Sequence, residues 1–333
     1  MKKYIIALLS LWVTAPALTQ AAEVRVYSGR HYNSDRKVLK QFSDLTGIRV
    51  RLLEATGVSL VERLKREGDR ANADVIILVD AARIQSAADQ GLLQPSATSA
   101  LVRQVPSEYR DPKGRWFGMT RRIRGIIVNP SRVDIGLIRS YEDLASPELK
   151  DKLCLRKKQN VYNQSLVASQ IVLKGPTKAK QWLNGMLRNV SEPFFSSDTA
   201  LIRAVAQGKC GVGVVNHYYL ARMQAGGNGK RDAELTKNVR LILPRPAHVN
   251  ISAIGIATSA KNYKESIQLA EFLTSKQGSS ALASSTYEYP IMGSSSSNKL
   301  REYGDFTSDG VSISNLSKQL KPALALMTQV GWK

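Results

Sequence analysis

The sequence predicts an α/β protein of two lobes, in which parallel-sheet lobes are joined by two hinge strands. Its 333 residues suit two units of about 100 to 200 residues each. Apolar strand patterns alternate with amphipathic helical patterns, and this alternation occurs in two separate stretches. The ordinary hydrophobic content of 43% is enough to form two packed cores.

The first stretch of alternation opens with a strand at 24–28, followed by a helix that ends at Gly47. A strand at 48–53, a helix at 59–67 and a strand at 74–79 continue it. This order predicts a parallel sheet with right-handed crossovers, and ligands bind at the carboxyl ends of such strands.

The second stretch repeats the pattern. Two extended apolar segments, 123–129 and 251–257, predict the crossings between lobes, so that the lobes can close on a ligand. The C-terminal helices are expected to pack on either lobe, and Pro322 predicts a break within the last one. The predicted strands are 154–155, 211–216, 241–244 and 251–257, and the predicted helices are 166–173, 178–187, 198–207, a helix opening at 217, 264–273 and 314–327. The predicted domains are a signal peptide at 1–22, lobe one at 23–122 and 252–333, and lobe two at 123–251.

The N-terminus has the layout of a secretory signal peptide, with Lys2 and Lys3 before an apolar run at 4–13. That run is shorter than a membrane span, and cleavage is expected near Ala21 or Ala22. The mature protein is therefore predicted to be exported to the periplasm.

Cys154 and Cys210 are the two cysteines of the chain. In an oxidising compartment this small, even number favours one disulfide bond, with two unpaired buried thiols as the alternative.

The formal net charge of +21 raises the question of nucleic-acid binding. The Lys and Arg residues are scattered, however, and their densest clusters, 121–124 and 156–158, are short. No helix-turn-helix, zinc-finger or RNP pattern accompanies them, so we expect a basic surface and no nucleic-acid partner.

Four tyrosines stand where chains of this fold bind ligands: Tyr32, Tyr162, Tyr218 and Tyr219 each follow a predicted strand. Successive residues of a helix diverge by about 100°, so Tyr218 and Tyr219 can direct two oxygens to neighbouring positions around one ion. Phenolate is a hard oxygen donor that suits a hard, trivalent cation. Calcium or magnesium would prefer carboxylates and carbonyls, and zinc would prefer His and Cys, of which the chain has few.

The sequence resembles the periplasmic ferric-ion-binding proteins of ABC iron transporters, in their cyanobacterial FutA-like branch. The motifs that carry this resemblance are 26–35 (VYSGRHYNSD), 73–76 with 80–83, 122–124, and 211–219 (GVGVVNHYY), and the likeness runs from 23 to about 293. It implies a class II periplasmic-binding-protein fold, a cargo of Fe(III), and delivery to an ABC transporter permease in the inner membrane.

The resemblance also implies the residues of the site. Its ligand tyrosines fall on Tyr32, Tyr162, Tyr218 and Tyr219, with His31 as a variable further ligand. Arg122 is expected near the metal, where it would hold an anion or offset phenolate charge. No carboxylate occupies a ligand-like position, which leaves the remaining coordination positions to water or a synergistic anion. Arg222 lies one helical turn after the tyrosine pair and can reach the same side. His217 and His248 are expected to have structural roles.

Two other classes of function remain open from the residues. A binding protein for a small organic or anionic ligand, such as a polyamine or a phosphonate, would share the fold, and Arg30, Arg122 and Arg124 would suit an anion. An enzyme is not expected, because the sequence contains no GxSxG, P-loop or HExxH motif. The protein is expected to be a monomer.

Overall fold

A computed structural model describes residues 22–30, 32–191, 194–293, 295 and 297–333. The predicted signal peptide, apart from its last residue, and the predicted ligand His31 lie outside the described residues. Within the described ranges, no helix is both long enough and apolar enough to cross a membrane.

The strands of the described chain form one continuous, mixed sheet. Seven of them follow the order β2-β1-β3-β8-β4-β6-β5, and both β7 and β9 pair with β4. Their bounds are β1 Glu23–Ser28, β2 Arg49–Glu54, β3 Val75–Val79, β4 Phe117–Val128, β5 Leu153–Cys154, β6 Val212–Asn216, β7 Arg240–Ile242, β8 Val249–Ile256 and β9 Tyr289–Pro290.

Strand β4 is shared by the two halves of the sheet. Its first half pairs with β8 and β9, and the last of these pairs joins Ile123 to Val249. Its second half pairs with β6 and β7, beginning with Arg124 opposite Asn216. The pairing partner of the strand therefore changes between Ile123 and Arg124. The lobe boundaries at 122/123 and 251/252 stay predictions.

The sheet is parallel only in part. Strand β1 runs parallel to β2 and β3, and β5 runs parallel to β6. The strands at the crossing, β4 and β8, are antiparallel to each other. They differ from the predicted parallel pattern because the chain leaves the first lobe along β4 and returns along β8.

Helices cover both faces of the sheet. The helix α5 joins two segments that the sequence predicted separately, and it is kinked at Gly175, whose φ of 79° is left-handed. The helices are α1 Asp35–Thr46, α2 Gly57–Glu67, α3 Ala81–Asp89, α4 Ser99–Gln104, α5 Val161–Arg188, α6 Asp198–Ala206, α7 His217–Gln224, α8 Lys230–Thr236, α9 Tyr263–Thr274, α10 Lys276–Thr286, α11 Asn298–Tyr303 and α12 Ile313–Gln329.

The C-terminal helix α12 packs on α5 of the second lobe and also contacts α3 of the first. Leu316, Ala323 and Met327 are buried in the core that β6 and α5 build. Just beyond the helix, the Trp332 indole N–H donates a hydrogen bond of 2.7 Å to the backbone oxygen of Arg156. The predicted break at Pro322 was wrong: the helix continues through it. Burial of apolar side chains on both sides of the proline holds the two turns in one helix.

A disulfide bond joins Cys154, at the end of β5, to Cys210, just before β6. Both cysteines are buried in the apolar cluster on the α6–α7 side of the second lobe. The bond closes a chain segment that includes all of α5 and α6.

Reduction of this disulfide should lower the free energy of unfolding. Closing a loop of about 57 residues restricts the unfolded chain by an amount equivalent to about 4 kcal/mol. Urea unfolding with and without a reductant measures the difference. The double variant C154S/C210S is the control and should not respond to the reductant; equal stability of the wild type in both conditions would contradict the expectation.

Candidate metal site

Tyr32 reaches the junction of the lobes from the first lobe. It lies in the loop between the end of β1 at Ser28 and the start of α1 at Asp35. Its ring meets the ring of Tyr218 edge to face, with 6.2 Å between the centroids. A residue of the first lobe therefore contacts a residue of the second.

Tyr218 and Tyr219 occupy the first turn of α7, directly after β6. The strand ends at Asn216 and the helix begins at His217, so both rings project from the carboxyl end of a buried strand. Their centroids lie 4.3 Å apart, and Tyr218 is fully buried. The Tyr–Tyr sequence thus gives two adjacent phenols, as the helical geometry predicts.

Tyr162 lies in the first turn of α5 and not in the preceding loop, where the sequence placed it. Asn160 caps the helix by accepting a hydrogen bond from the backbone N–H of Asn163, which starts the helix earlier. Tyr162 and Tyr219 both line an open cleft of about 660 Å³. Gly29 and Arg83 of the first lobe line the same cleft, which therefore lies between the lobes.

The phenols at the junction resist ionisation. Burial raises the pKa of Tyr32 well above that of a free phenol, and the charges of Glu288, Tyr162 and Tyr219 raise it further. Burial has the same effect on the pKa of Tyr218 and of Tyr219, again with contributions from neighbouring tyrosines. These phenols are therefore protonated at neutral pH unless a cation compensates the charge of their oxygens.

Two of the predicted arginines lie against these rings. The guanidinium of Arg222 is 5.3 Å from the ring centre of Tyr32 and 5.7 Å from those of Tyr218 and Tyr219. The guanidinium of Arg122 is 5.2 Å from the ring centre of Tyr162. Both arginines can therefore make cation–π interactions with the tyrosine rings that they face.

Two further charged residues lie in this region: the sequence indicated Arg30 only for an anionic cargo, and it did not indicate Glu288. Arg30, two residues before Tyr32, lies 4.9 Å from the Tyr32 ring centre. Glu288 is fully buried and accepts hydrogen bonds from Arg30 and Thr120. No motif indicates a residue 258 positions away from Arg30, because only the folded sheet brings β9 beside β4.

The histidines of the second lobe have structural partners. The Nδ1 atom of His217 accepts a hydrogen bond of 3.1 Å from the backbone N–H of Ile123, and its ring stacks on Tyr289. His248 lies just before β8 and pairs with Asp309 at 2.9 Å. Among the residues that the structure describes, no group of three or more His, Cys, Asp or Glu side chains could hold a metal ion.

A larger groove, of about 860 Å³, runs between α5 and α12. Its lining includes Ile171, Pro176 and Leu326, and Lys318 is the charged residue in it. Phenols and arginines line the cleft between the lobes, so that cleft is the better candidate for an ion.

Comparisons with known proteins identify the family of the chain. Residues 71–308 match the family model of bacterial extracellular solute-binding proteins. Iron uptake protein A1 of Synechocystis sp. is 37% identical over 316 residues, which cover 93% of this chain and 88% of that protein.

Solved structures of iron-binding proteins also match this chain. FutA (IdiA) of Trichodesmium, in complex with iron and citrate, matches with a TM-score of 0.89 and 36% identity over 94% of this chain and all of that one. The ferric binding protein of Campylobacter jejuni matches with a TM-score of 0.86 and 32% identity over 93% of this chain and all of that one. These matches confirm the predicted two-lobed α/β fold and the resemblance inferred from the motifs. The chain belongs to the family of bacterial extracellular solute-binding proteins.

Proposed function

We propose that this protein captures ferric iron in the cleft between its lobes and delivers it to an ABC transporter permease in the inner membrane. The observation that carries the proposal is the meeting of tyrosines from three separate chain segments at the lobe junction. The names of the similar proteins, which describe iron uptake and ferric binding, support it. The protein acts in this proposal as a periplasmic monomer without enzymatic activity.

The proposed ligands are the phenolate oxygens of Tyr32, Tyr162, Tyr218 and Tyr219. Three or four phenolates balance or slightly exceed the charge of a trivalent ion, and oxygen donors suit a hard cation. Binding must displace the phenol protons, because metal ligands bind in their deprotonated form. Water or a synergistic anion would complete the coordination. His31 remains a proposed further ligand.

Arg122 and Arg222 are proposed to offset excess negative charge around the ion. Each guanidinium lies within 6 Å of at least one of these tyrosine rings. Arg122 is also proposed to hold a synergistic anion, since a guanidinium can donate two parallel hydrogen bonds to a carboxylate or carbonate.

A small organic or anionic cargo is the alternative. The basic lining of the cleft, with Arg83, Arg156 and Lys157, favours an anion. Such a cargo would not need four phenols, and the similar proteins described above are named for iron. An anion bound together with iron accounts for both the tyrosines and the basic lining.

Iron is proposed to bind the second lobe first, because three of the four ligand tyrosines belong to it. Closure would then bring Tyr32 to the ion and complete the set. In the conformation described, the Ser165 hydroxyl donates a 2.7 Å hydrogen bond to Asp80, which links α5 to the end of β3. This contact across the junction is one that closure would form.

Replacing Tyr219 by Phe should weaken ferric binding by at least about tenfold, the loss produced even by removing an outer partner of a metal ligand. The ring would remain while the donor oxygen is lost. The visible phenolate-to-iron absorption band should also weaken or shift. Titration with a ferric chelate, followed by absorbance, measures both changes.

Tyr263 offers a matched control, because it is exposed on α9. The variant Y263F should keep the wild-type band and affinity. An unchanged spectrum in Y219F would exclude Tyr219 from the site.

Adding ferric iron to metal-free protein should decrease the radius of gyration, because closure moves one lobe against the other. Small-angle X-ray scattering of the same sample before and after loading measures this change. An identical radius in both samples would contradict closure by Tyr32.

Acid should release the iron. Protons compete with a metal ion for phenolate oxygens, whose pKa in free tyrosine is about 10, so affinity falls as pH decreases. Following the visible band during acidification tests this expectation. A band that persists until the protein unfolds would argue against phenolate ligands.

A further inference from the structure

An uncommon backbone conformation precedes the buried residue Glu288. Helix α10 ends at Thr286, and Tyr287 follows with a φ of 62°, a left-handed conformation that is uncommon for a residue with a side chain. The next residue, Glu288, is fully buried. An uncommon backbone conformation of this kind persists only where the surroundings enforce it.

One side of the Glu288 carboxylate holds Arg30. Its Oε2 atom accepts hydrogen bonds of 2.9 Å from Arg30 and 2.7 Å from the Thr120 hydroxyl. Arg30 is itself buried and lies against the ring of Tyr32. The carboxylate therefore fixes the cation behind the tyrosine of the first lobe.

The other oxygen faces Arg122. Glu288 Oε1 lies 4.0 Å from the Arg122 guanidinium and has no hydrogen-bond partner within the part of the chain that the structure describes. Arg122 lies against the ring of Tyr162. The Glu288 carboxylate thus also faces Arg122, the cation that contacts Tyr162 of the second lobe.

The electrostatics agree with this shared role. Burial acts to raise the pKa of Glu288, but the positive charges of Arg30 and Arg122 outweigh it and leave the pKa below its usual value. Glu288 is therefore a carboxylate at neutral pH. A buried charge of this kind is stable only while its partners remain in place.

We propose that Glu288 is a positioning residue that couples the two halves of the iron site: it holds Arg30 against Tyr32 and Arg122 against Tyr162. This inference rests on the proposed function. Its negative charge also favours ferric over ferrous iron, because the ion of higher charge gains more from a nearby carboxylate. Glu288 thereby contributes to both the affinity and the reduction potential of the bound iron.

The variant E288Q tests the proposal, because Gln keeps the volume and one acceptor oxygen but removes the charge. We expect ferric affinity to fall by about 10- to 100-fold, the range found for outer partners of metal ligands. The reduction potential of the bound iron should become more positive. Competition with a ferric chelator measures the affinity, and a spectroelectrochemical titration of the visible band measures the potential.

Asp35 provides the control. It pairs with Arg30 at 2.7 Å, and Glu288 pairs with the same arginine at 2.9 Å, but the paired cation of Asp35 is Arg30 alone within the described chain. The variant D35N removes a buried negative charge without touching the link to Arg122. It should change both the affinity and the potential less than E288Q does; equal changes in the two variants would overturn the coupling role.

A second variant, T120V, tests the proposal if E288Q does not fold. T120V keeps the charge of Glu288 but removes the hydroxyl that donates to it, and Val suits a buried strand position. It should also weaken ferric binding, with a smaller change in potential. Wild-type affinity in folded E288Q or, if that variant does not fold, in T120V would overturn the proposal.

The wild type is titrated beside the variants. If it binds no ferric iron, the proposed function itself fails. If it binds iron and E288Q behaves like it, only the role of Glu288 fails. Circular dichroism and gel filtration establish that each variant is folded before its binding is interpreted.

Discussion

The continuity of strand β4 is the constraint on which the site depends. One strand of 12 residues contributes to both halves of the sheet, so backbone hydrogen bonds at the junction connect the two lobes. Thr120 and Arg122 lie on this strand, just before it enters the second lobe. Thr120 and Arg122 are therefore attached to β4, the strand about which the lobes would move.

Burial at this junction explains why the site suits a small, highly charged ion. The phenol of Tyr218 is removed from water and that of Tyr32 is partly buried, which opposes their ionisation. A weakly charged ligand would offset little of the free energy needed to deprotonate the phenols. A trivalent ion compensates several phenolates at once, and the arginines beside the rings moderate the negative charge that accumulates.

Much of this arrangement follows from local sequence patterns. Apolar strands that each precede a tyrosine predicted where Tyr32, Tyr218 and Tyr219 would lie, because parallel strands end at one edge of a sheet. The mixed pairing of β4 with β8 depends on contacts between distant parts of the chain, which periodicity does not encode. The same holds for Glu288, whose partners lie on β4 and beside β1. Pro322 failed as a helix breaker because packing of α12 against α5 and α3 outweighed a local preference.

Resonance Raman spectroscopy of the ferric-loaded wild-type protein tests the central claim most directly. Excitation within the visible band enhances vibrations of only those groups that donate charge to the iron. We expect enhanced tyrosinate ring vibrations from a stoichiometric 1:1 complex. A stoichiometric complex without tyrosinate vibrations, or the absence of any complex, would contradict it.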